Sequence, residues 1–584
     1  MATTTNARYA LLDIYNGSGF SRWNYPEMVG EPINSTAGIG HGVDLSFKFL
    51  TSLPAHSAVG GFQKFSPEQM AAATDVLASI EDVADIDFTQ TTGTGQITFG
   101  NGYLAAGLVG HAYLPNYSYR YSGNTVVSVT EDKSAGDVWT KRIEFWDGDA
   151  WQPGGEGYQT LLHEVGHALG LKHPFESTWQ LPAQYDNERF TVMSYTQGAN
   201  TTLLEVSGNS SSYSWQSSYL RPSTLMPFDI DALQHLYGAN TAARSGNTTY
   251  AWTTNAELLQ TLWDGGGIDM IDCSNQVFSC VINLEGDSFS SIALRQTAAQ
   301  IKTGLGLPDW FPAAHLPADI YNGSDNLAIA GGVVIENARG GSGRDQISGN
   351  AAANNLAGNA GNDTLSGWAG NDTLNGGQGS DSMAGGSGTD TLSYACGASS
   401  KGVAVSLAVS TAQATGGSGS DQVSGFENLV GSAFGDKLTG STGNNRLHGG
   451  SGADVLAGGS GNDTLTGGAG SDTLAGGSGK DIFDFDALAD SGTSQATWDV
   501  VTDFLRGQDD IDLSGLDAKA GSAVDDAFAF IGKAAFSAAG QLRYVYDGAK
   551  GYGILYGSTD SDASAEIALQ VMGVSSLSSS DFIS

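Results

Sequence analysis

The sequence is short of cysteine, of basic residues and of long apolar runs. Its 584 residues include three cysteines and 25 Lys plus Arg against 62 Asp plus Glu, a formal net charge of −37. So acidic a chain repels phosphate backbones, which argues against nucleic acid as a partner. No window holds the roughly 18 consecutive apolar residues of a membrane-spanning helix. The first residues lack the basic segment and apolar run of a conventional signal peptide.

The cysteines are too few for a disulfide framework. Cys273 and Cys280 are close enough in sequence to pair, but two buried thiols are the favoured interpretation. Hydrophobic residues still make up 40% of the chain, so it can form real cores and global disorder is excluded.

Glycine is abundant, with 82 residues, about twice the usual share. Much of it falls in a nine-residue repeat, G-G-x-G-x-D-x-U-x, where U is a large apolar residue. Clean copies are 340–348 and 376–384, and the repeats form two runs, 340–393 and 431–484. Asparagine replaces aspartate at Asn354 and Asn445. The aspartate position is filled by Asp345, Asp363, Asp372, Asp381, Asp390, Asp436, Asp454, Asp463, Asp472 and Asp481.

Such a pattern predicts a parallel β-roll that binds calcium. Glycines allow tight turns, the apolar residue forms a short inward-facing strand, and the aspartate stands in the turn. Ca²⁺ takes six to eight oxygen ligands, which turn carbonyls and carboxylates of adjacent coils can supply, as at Gly341, Gly343 and Asp345. A flexible Gly/Ser/Asp linker would not explain an apolar residue two places after each aspartate.

A longer duplication frames these repeats. Ile335-Glu-Asn opens the first run and Phe426-Glu-Asn the second, so we predict two roll units joined by a strand-rich connector at 394–430. Residues 1–240 instead show an α+β pattern. A capped helix is expected from Ser66, with strands at 86–89 and 96–100.

The chemistry is concentrated at residues 161–174. His163 and His167 are four residues apart, so on a helix they share one face and can bind one metal ion. Gly170 can end the helix, so that His173 supplies a third imidazole. Three imidazoles with an open position are typical of catalytic zinc. Glu164, beside the pair, can take a proton from zinc-bound water and pass it to a leaving amine.

Two further residues follow His173 at a suggestive distance. Met193 could lie beneath the three imidazoles, and Tyr195 could reach the metal or hydrogen-bond an oxyanion. Alone, the Met-Ser-Tyr triplet would indicate only core packing.

With these motifs the sequence resembles the serralysins, which are secreted metalloproteases of the metzincin class. The resemblance is carried by the zinc motif 163–174, the Met-turn at Met193, the segment Pro227–Gly238, Ile335-Glu-Asn and the nonapeptides. It implies a metzincin domain at 1–240 and a β-rich connector with a calcium site at 241–339. Roll units would follow at 340–393 and 431–484, separated by the connector 394–430. A β-rich region at 485–584 would carry a type I secretion signal.

The resemblance also implies residue roles. His163, His167, His173 and Tyr195 would bind zinc, with Glu164 as the base. An edge strand would bind the substrate, and a calcium site would lie outside the rolls, with Asn247 standing where the family has aspartate. The strand residues are Gly110, His111, Ala112, Tyr113 and Leu114. The calcium residues are Arg244, Gly246, Asn247, Asp264, Gly266, Gly267 and Asp269.

Three functions are weighed. The first is a monomeric, secreted, calcium-stabilised zinc endopeptidase that acts on protein and peptide substrates. Its partners would be the type I export machinery and a small periplasmic protease inhibitor. The terminal Asp581-Phe-Ile-Ser resembles that export signal. The second is an RTX surface adhesin or matrix protein with an inactive metzincin domain, which an intact Glu164 disfavours. The third is a zinc hydrolase acting on a non-peptide substrate, which the peptide-binding strand disfavours.

Overall fold

The structure is a computed structural model. It describes residues 4–15, 19–32, 35–146, 149–176, 179–395, 401–519, 526–560, 562 and 564–583. The chain forms two compact units, one of Met1–Ile271 with Asn283–Ile335 and one of Asp272–Ile282 with Glu336–Ser584. Cys396 and Ser584 lie outside the described residues.

Helices occur in the first unit. The capped helix predicted from Ser66 is confirmed: the Ser66 hydroxyl accepts the Gln69 N–H, and the Gln69 side chain accepts the Ser66 N–H. The described α-helices are Thr4–Leu11, Pro67–Val83, Glu156–Ala168, Pro227–Tyr237 and Ala298–Gly304. Short 3₁₀ turns are Tyr25–Met28, Ile143–Phe145 and Ala313–His315, with Ser579–Asp581 in the second unit.

A six-stranded sheet organises the same unit. Its order is Ile86–Gln90, Val43–Phe49, Ile97–Tyr103, Asp137–Lys141 and Gly110–Ala112, with Gly60–Gln63 paired to Ile97–Tyr103. The first four strands are parallel, and Gly110–Ala112 pairs antiparallel with Asp137–Lys141 at one end. Both strands predicted near residues 86 and 97 are confirmed.

Shorter strands complete this part of the chain. Two hairpins, Tyr117–Ser122 with Thr125–Glu131 and Thr202–Asn209 with Ser212–Tyr219, were not predicted. The remaining strands up to residue 329 are Ile14–Tyr15, Gly19–Phe20, Thr249–Ala251, Gln260–Leu262, Met270–Asp272, Ser279–Asn283, Phe289–Leu294 and Leu327–Ile329.

The second unit is built from parallel strands that stack every 18 residues. Ile347 faces Leu365, which faces Met383, so two nonapeptides make one coil. These side chains are buried, as the repeat predicted. Strands of the repeat region are Asn337–Arg339, Gln346–Ser348, Asn355–Ala357, Thr364–Ala369, Thr373–Asn375, Ser382–Ser387, Thr391–Ser393, Ala404–Ser406, Gln413–Ala414, Ser420–Ser424, Asn428–Val430, Lys437–Thr439, Arg446–Gly452, Val455–Ser460, Thr464–Gly470, Thr473–Ser478 and Ile482–Asp484.

Along one face the two repeat runs share a single parallel sheet. Thr391–Ser393 pairs with Asn428–Val430, which pairs with Arg446–Gly452, so the strands continue across the connector. Elsewhere the strands of the two runs belong to different sheets. The division into two roll units therefore stays a prediction from the sequence.

After the repeats, two strands continue the parallel sheets of the roll and three later strands, between residues 541 and 572, pair antiparallel with one another. The strands after the repeats are Asp499–Val501, Asp510–Asp512, Ala529–Phe530, Gln541–Asp547, Tyr552–Ser558, Ile567–Met572 and Phe582–Ile583. Phe582–Ile583 pairs in parallel with Asp510–Asp512, and Asp581 is fully buried. Within the described residues, no helix combines the length and hydropathy that a membrane crossing needs.

Candidate active site

Helix Glu156–Ala168 presents His163 and His167 on consecutive turns, and the chain reverses directly after it. Gly170 has a φ of +106°, and a side chain there would collide with the Ser21 carbonyl oxygen. Only glycine fits this turn without strain. The reversal carries His173 back to the helix.

The three imidazoles converge on one point. The Nε2 atom of His173 lies 3.2 Å from that of His163 and 3.1 Å from that of His167. Burial lowers the pKa of His163 to about 4 and that of His167 well below its usual value, so both rings are neutral. Neutral imidazoles are the form that binds a metal ion.

Each ring is held through its other nitrogen. The His163 Nδ1 donates to the Val192 carbonyl at 2.8 Å, and the His167 Nδ1 donates to the Leu171 carbonyl at 2.8 Å. His173 Nδ1 lies 2.7 Å from a carboxylate oxygen of Glu176. These partners fix the tautomer that leaves Nε2 free for a metal ion.

The donor set fits zinc. Nitrogens held 2.0–2.1 Å from a tetrahedral zinc ion lie about 3.3 Å apart, close to the separations of the three Nε2 atoms. The Tyr195 hydroxyl lies 2.7 Å from the His173 Nε2, close enough to offer an oxygen ligand to the same metal ion. The Tyr195 side chain is 65% exposed, so it is open to solvent at this position.

Glu164 lies beside the imidazoles and is 5% exposed. Burial raises its pKa to about 8, and a hydrogen bond from the Ala112 N–H opposes that shift. Its Oε2 atom accepts no hydrogen bond from any described residue. A side chain at Gly110 would collide with the Glu164 carboxylate, so glycine lets the edge strand approach it.

The predicted substrate-binding residues lie on and after that edge strand. Gly110, His111 and Ala112 form the strand itself, while Tyr113 and Leu114 continue beyond it. Tyr113 exchanges backbone hydrogen bonds with Asp137 and Gly136. An end strand of a sheet is the element that an extended peptide can join.

Met193 is fully buried under the metal-binding helix. A side chain at Gly166 would stand 2.8 Å from the Met193 sulfur, so glycine makes room for it. The loop that carries Met193 is held by Asp229, a residue whose role was not predicted. Asp229 accepts hydrogen bonds from the Thr191 hydroxyl, the Val192 N–H and the Met226 N–H at 2.6, 2.8 and 3.0 Å.

A cavity of about 240 Å³ adjoins the metal centre. Glu164, His163 and Tyr195 line one part of it, and Glu188 and Arg221 line another. Burial raises the pKa of Glu188 to about 7, although the Arg221 guanidinium opposes the shift. Neither Glu188 nor Arg221 was singled out from the sequence.

The residues predicted for a calcium site outside the rolls come together in two adjacent turns. Asp269 Oδ1 accepts the Thr248 N–H, Asn247 Oδ1 accepts the Ile268 N–H, and Asp264 Oδ1 accepts the Gly266 N–H. A side chain at Gly267 would meet the Gly246 carbonyl at 2.6 Å. Arg244 instead directs its side chain to Asp82 and to the Trp263 carbonyl.

The repeat aspartates form ladders along the roll. One carboxylate oxygen accepts the backbone N–H of the equivalent residue one coil earlier, as Asp363 does from Asp345 and Asp381 does from Asp363. The other oxygen of most repeat aspartates is buried without a hydrogen-bond partner among the described residues. These are Asp363, Asp372, Asp381, Asp390, Asp454, Asp463, Asp472 and Asp481.

The first coil of each run differs. There the second oxygen of Asp345 accepts the Gly341 N–H, and that of Asp436 accepts the Ser432 N–H. Asn354 and Asn445 donate their amides to the Glu336 and Glu427 carbonyls. The opening turns thus use protein donors and amides where later turns present unpaired carboxylate oxygens.

The ladders also include residues outside the nonapeptides. Asp421 and Glu427 accept the N–H groups of Asp381 and Asp390, and Asp499 and Asp509 do the same for Asp472 and Asp481. Their spacing of 27 to 40 residues replaces the regular 18, so the repeat pattern gives no signal for them.

Burial raises the pKa of the roll aspartates. The pKa is about 7 for Asp363 and Asp454 and about 8 for Asp499, with neighbouring carboxylates adding to the effect of burial. Buried, unpaired carboxylate oxygens in a row are the ligands that Ca²⁺ prefers.

Taken together, the site is a cluster of three histidines that could hold a metal ion, beside a buried glutamate, in a chain that also carries a roll with nonapeptide repeats. Residues 396–584 match the family described as Peptidase M10 serralysin C terminal, and 331–365, 339–374 and 358–392 match the RTX calcium-binding nonapeptide repeat. These matches confirm the calcium-binding repeats.

Curated relatives agree. The chain is 32% identical over 337 residues to Metallopeptidase AprA of Pseudomonas marginalis, covering 52% of this chain and 60% of the relative. It is 36% identical over 336 residues to Serralysin C of Dickeya chrysanthemi, covering 53% and 60%. The chain thus spans about three fifths of the length of these relatives. The resemblance to serralysins is confirmed.

A solved structure also matches part of the chain. It is the solution structure of the AlgE6R3 subunit from the Azotobacter vinelandii mannuronan C5-epimerase. The match covers 26% of this chain and 78% of that one at 32% identity, with a TM-score of 0.20.

Proposed function

We propose that this protein is a secreted zinc endopeptidase of the metzincin class whose roll is folded by calcium. The observation that carries the proposal is the convergence of three Nε2 atoms beside the buried carboxylate of Glu164. The confirmed resemblance to serralysins supports the same assignment. Substrates are extended segments of extracellular proteins.

The substrate would bind along the edge strand Gly110–Ala112. A peptide that pairs with this strand runs past Glu164, because the Ala112 N–H donates to that carboxylate. Backbone pairing of this kind recognises the peptide main chain rather than particular side chains. We therefore expect cleavage at many different sequences, with a preference set by the cavities that bind substrate side chains.

Zinc and two residues divide the chemistry. When bound, zinc supplies a Lewis acid that polarises the scissile carbonyl and acidifies a water molecule. Glu164 takes the proton of the attacking water and returns it to the leaving amine. The Tyr195 hydroxyl donates a hydrogen bond to the carbonyl oxygen as that oxygen gains negative charge.

Calcium would determine where the protein folds. Without cations, the buried carboxylates of the ladders repel one another and disfavour the roll. A chain that stays unfolded at low calcium can pass through a type I export channel and then fold outside, where calcium is millimolar. The export machinery and a small periplasmic inhibitor are the partners this function implies.

The test is hydrolysis of unfolded casein by the full chain in millimolar calcium. We expect activity that disappears in Glu164→Gln and on zinc removal with 1,10-phenanthroline, and that returns when zinc is restored. Circular dichroism should show the same fold in the variant. A calcium-folded, zinc-loaded protein that cleaves no casein would contradict the proposal and favour the adhesin interpretation.

A further inference from the structure

The cavity beside the metal centre carries a buried acidic group that the proposed chemistry does not use. Glu188 is 3% exposed and lines the cavity with Arg221, whereas Glu164 and His163 line the same cavity at the metal centre. A substrate side chain entering from the peptide backbone would therefore meet Glu188.

Glu188 is held in place by its backbone and is only partly paired. Its N–H donates to the Thr196 carbonyl at 2.8 Å, on the loop that carries Met193. Its Oε1 accepts from Arg221 Nη1 at 3.4 Å, a long contact. Its Oε2 is buried and accepts no hydrogen bond from any described residue.

The charges around the cavity do not balance. Arg221 also pairs with Glu156, whose carboxylate lies 3.6 Å from Arg221 Nη2. One guanidinium is thus shared by two carboxylates, so Glu188 is only partly compensated. A buried carboxylate with so little compensation costs stability unless a ligand supplies the missing cation.

Resting on the proposed function, we propose that this cavity is a specificity subsite for a cationic side chain of the substrate, Lys or Arg, with Glu188 as its counter-ion. The volume of about 240 Å³ is below the ~300–1,000 Å³ of pockets that take a whole small ligand. It suits one long side chain. An ammonium or guanidinium at its end satisfies the unpaired Oε2 of Glu188 and offsets the excess negative charge.

The experiment compares peptides that differ only at one residue near the scissile bond. Peptides with Arg, Lys, norleucine or Glu at each of three positions on either side of the bond are cleaved by the calcium- and zinc-loaded full chain at pH 8. At one position we expect kcat/KM to be about tenfold or more higher for Arg and Lys than for norleucine, as a charge-assisted hydrogen bond provides.

Two variants test the role of Glu188. Glu188→Gln should lose the preference for Arg and Lys while cleaving the norleucine peptide within about threefold of the wild type. Arg221→Gln should sharpen the preference, because it removes the competing guanidinium. Glu205→Gln, which changes an exposed carboxylate on a hairpin, is the matched control and should keep the wild-type pattern.

A binding arm separates this inference from the proposed function. Glu164→Gln removes the other acidic group of the cavity, and calorimetry with the same peptides reports selectivity whether or not the chain hydrolyses them. Tighter binding of the Arg peptide than of the norleucine peptide supports the inference. Equal affinities, or a preference for Glu through Arg221, would overturn it even if casein is cleaved.

A structural role for Glu188 makes a different prediction. If the Arg221 pair served only to hold the fold, Glu188→Gln would lower the melting temperature and slow all peptides equally. The subsite role instead predicts an unchanged or higher melting temperature together with a loss confined to the cationic peptides.

Discussion

Asp229 should control both the stability of the loop that carries Met193 and the affinity of the protein for zinc. Its carboxylate holds the Thr191 hydroxyl and the N–H groups of Val192 and Met226, and Val192 in turn accepts the Nδ1 proton of His163. The carboxylate therefore acts on the metal through a chain of two hydrogen bonds. No zinc ligand needs to change for the affinity to fall.

The magnitude follows from the hydrogen bonds lost. In Asp229→Asn the amide oxygen can keep both N–H donors, and only the charged bond to Thr191 is exchanged, at a cost of about 1–2 kcal/mol. Asp229→Ala leaves three buried donors unpaired at about 1–3 kcal/mol each, so we expect a loss of roughly 3–9 kcal/mol. Loosening the Val192 carbonyl should weaken zinc binding about 10–100-fold.

Urea unfolding at saturating calcium, followed by tryptophan fluorescence, measures the loss of stability. Competition with a zinc-binding dye measures the loss of zinc affinity. Asp231→Ala is the control on the same helix. Asp231 forms a part-buried pair with Arg8 through both carboxylate oxygens and lies away from the histidines. Its removal should cost about 1–3 kcal/mol but leave zinc affinity unchanged. An Asp229→Ala protein with wild-type stability and zinc affinity would show that Asp229 does not hold this loop.

Gly170→Ala should destabilise the protein and abolish zinc binding by displacing His173. Neither the φ of +106° nor the nearby Ser21 carbonyl tolerates a side chain at this position. Dye competition and the melting temperature measure the two effects, and a variant that binds zinc normally would contradict the prediction. Chelating calcium at pH 8 should unfold the roll, and acidification to pH 5 should restore part of its β-signal in circular dichroism. Burial raises the pKa of carboxyls such as Asp363 from 3.8 to about 7, so the metal-free fold is most stable at low pH and loses stability as the pH rises between these two values. A metal-free protein whose circular dichroism does not change on acidification would contradict this prediction. Burial likewise raises the pKa of Glu188 to about 7, so the wild type should lose stability as the pH rises, whereas Glu188→Gln should not. The stability of Glu188→Gln relative to the wild type should therefore grow by up to about 3 kcal/mol from pH 4 to pH 8. Urea unfolding at both pH values tests this, and a constant difference in stability would contradict it.

Local spacing was enough to predict that three histidines converge. His163 and His167 lie on one helix, and the chain turns at Gly170 directly after it, so eleven consecutive residues bring the three imidazoles together. That they bind zinc stays a prediction. The nine-residue period likewise predicted the buried apolar column that contains Ile347 and Leu365. Both signals lie within a few consecutive residues, and their spacing matches the period of the helix or of the roll that carries them.

Interactions between distant segments could not be predicted in this way. Asp229 reaches Thr191 across 38 residues, and Glu188 meets Arg221 across 33 residues. Asp499 takes a ladder position 27 residues after Asp472 because the regular repeat has ended. Such pairs depend on how the chain returns on itself, which no local pattern records.

The most direct test of the account is a zinc titration of the stripped, calcium-folded protein. Zinc is added in sub-stoichiometric steps while hydrolysis of a fluorogenic peptide is followed. We expect activity to rise linearly, to saturate at one zinc per chain and to stay absent in Glu164→Gln at every step. Activity that persists without zinc, or that survives in Glu164→Gln, would contradict the assignment of the three-histidine centre as the catalytic site.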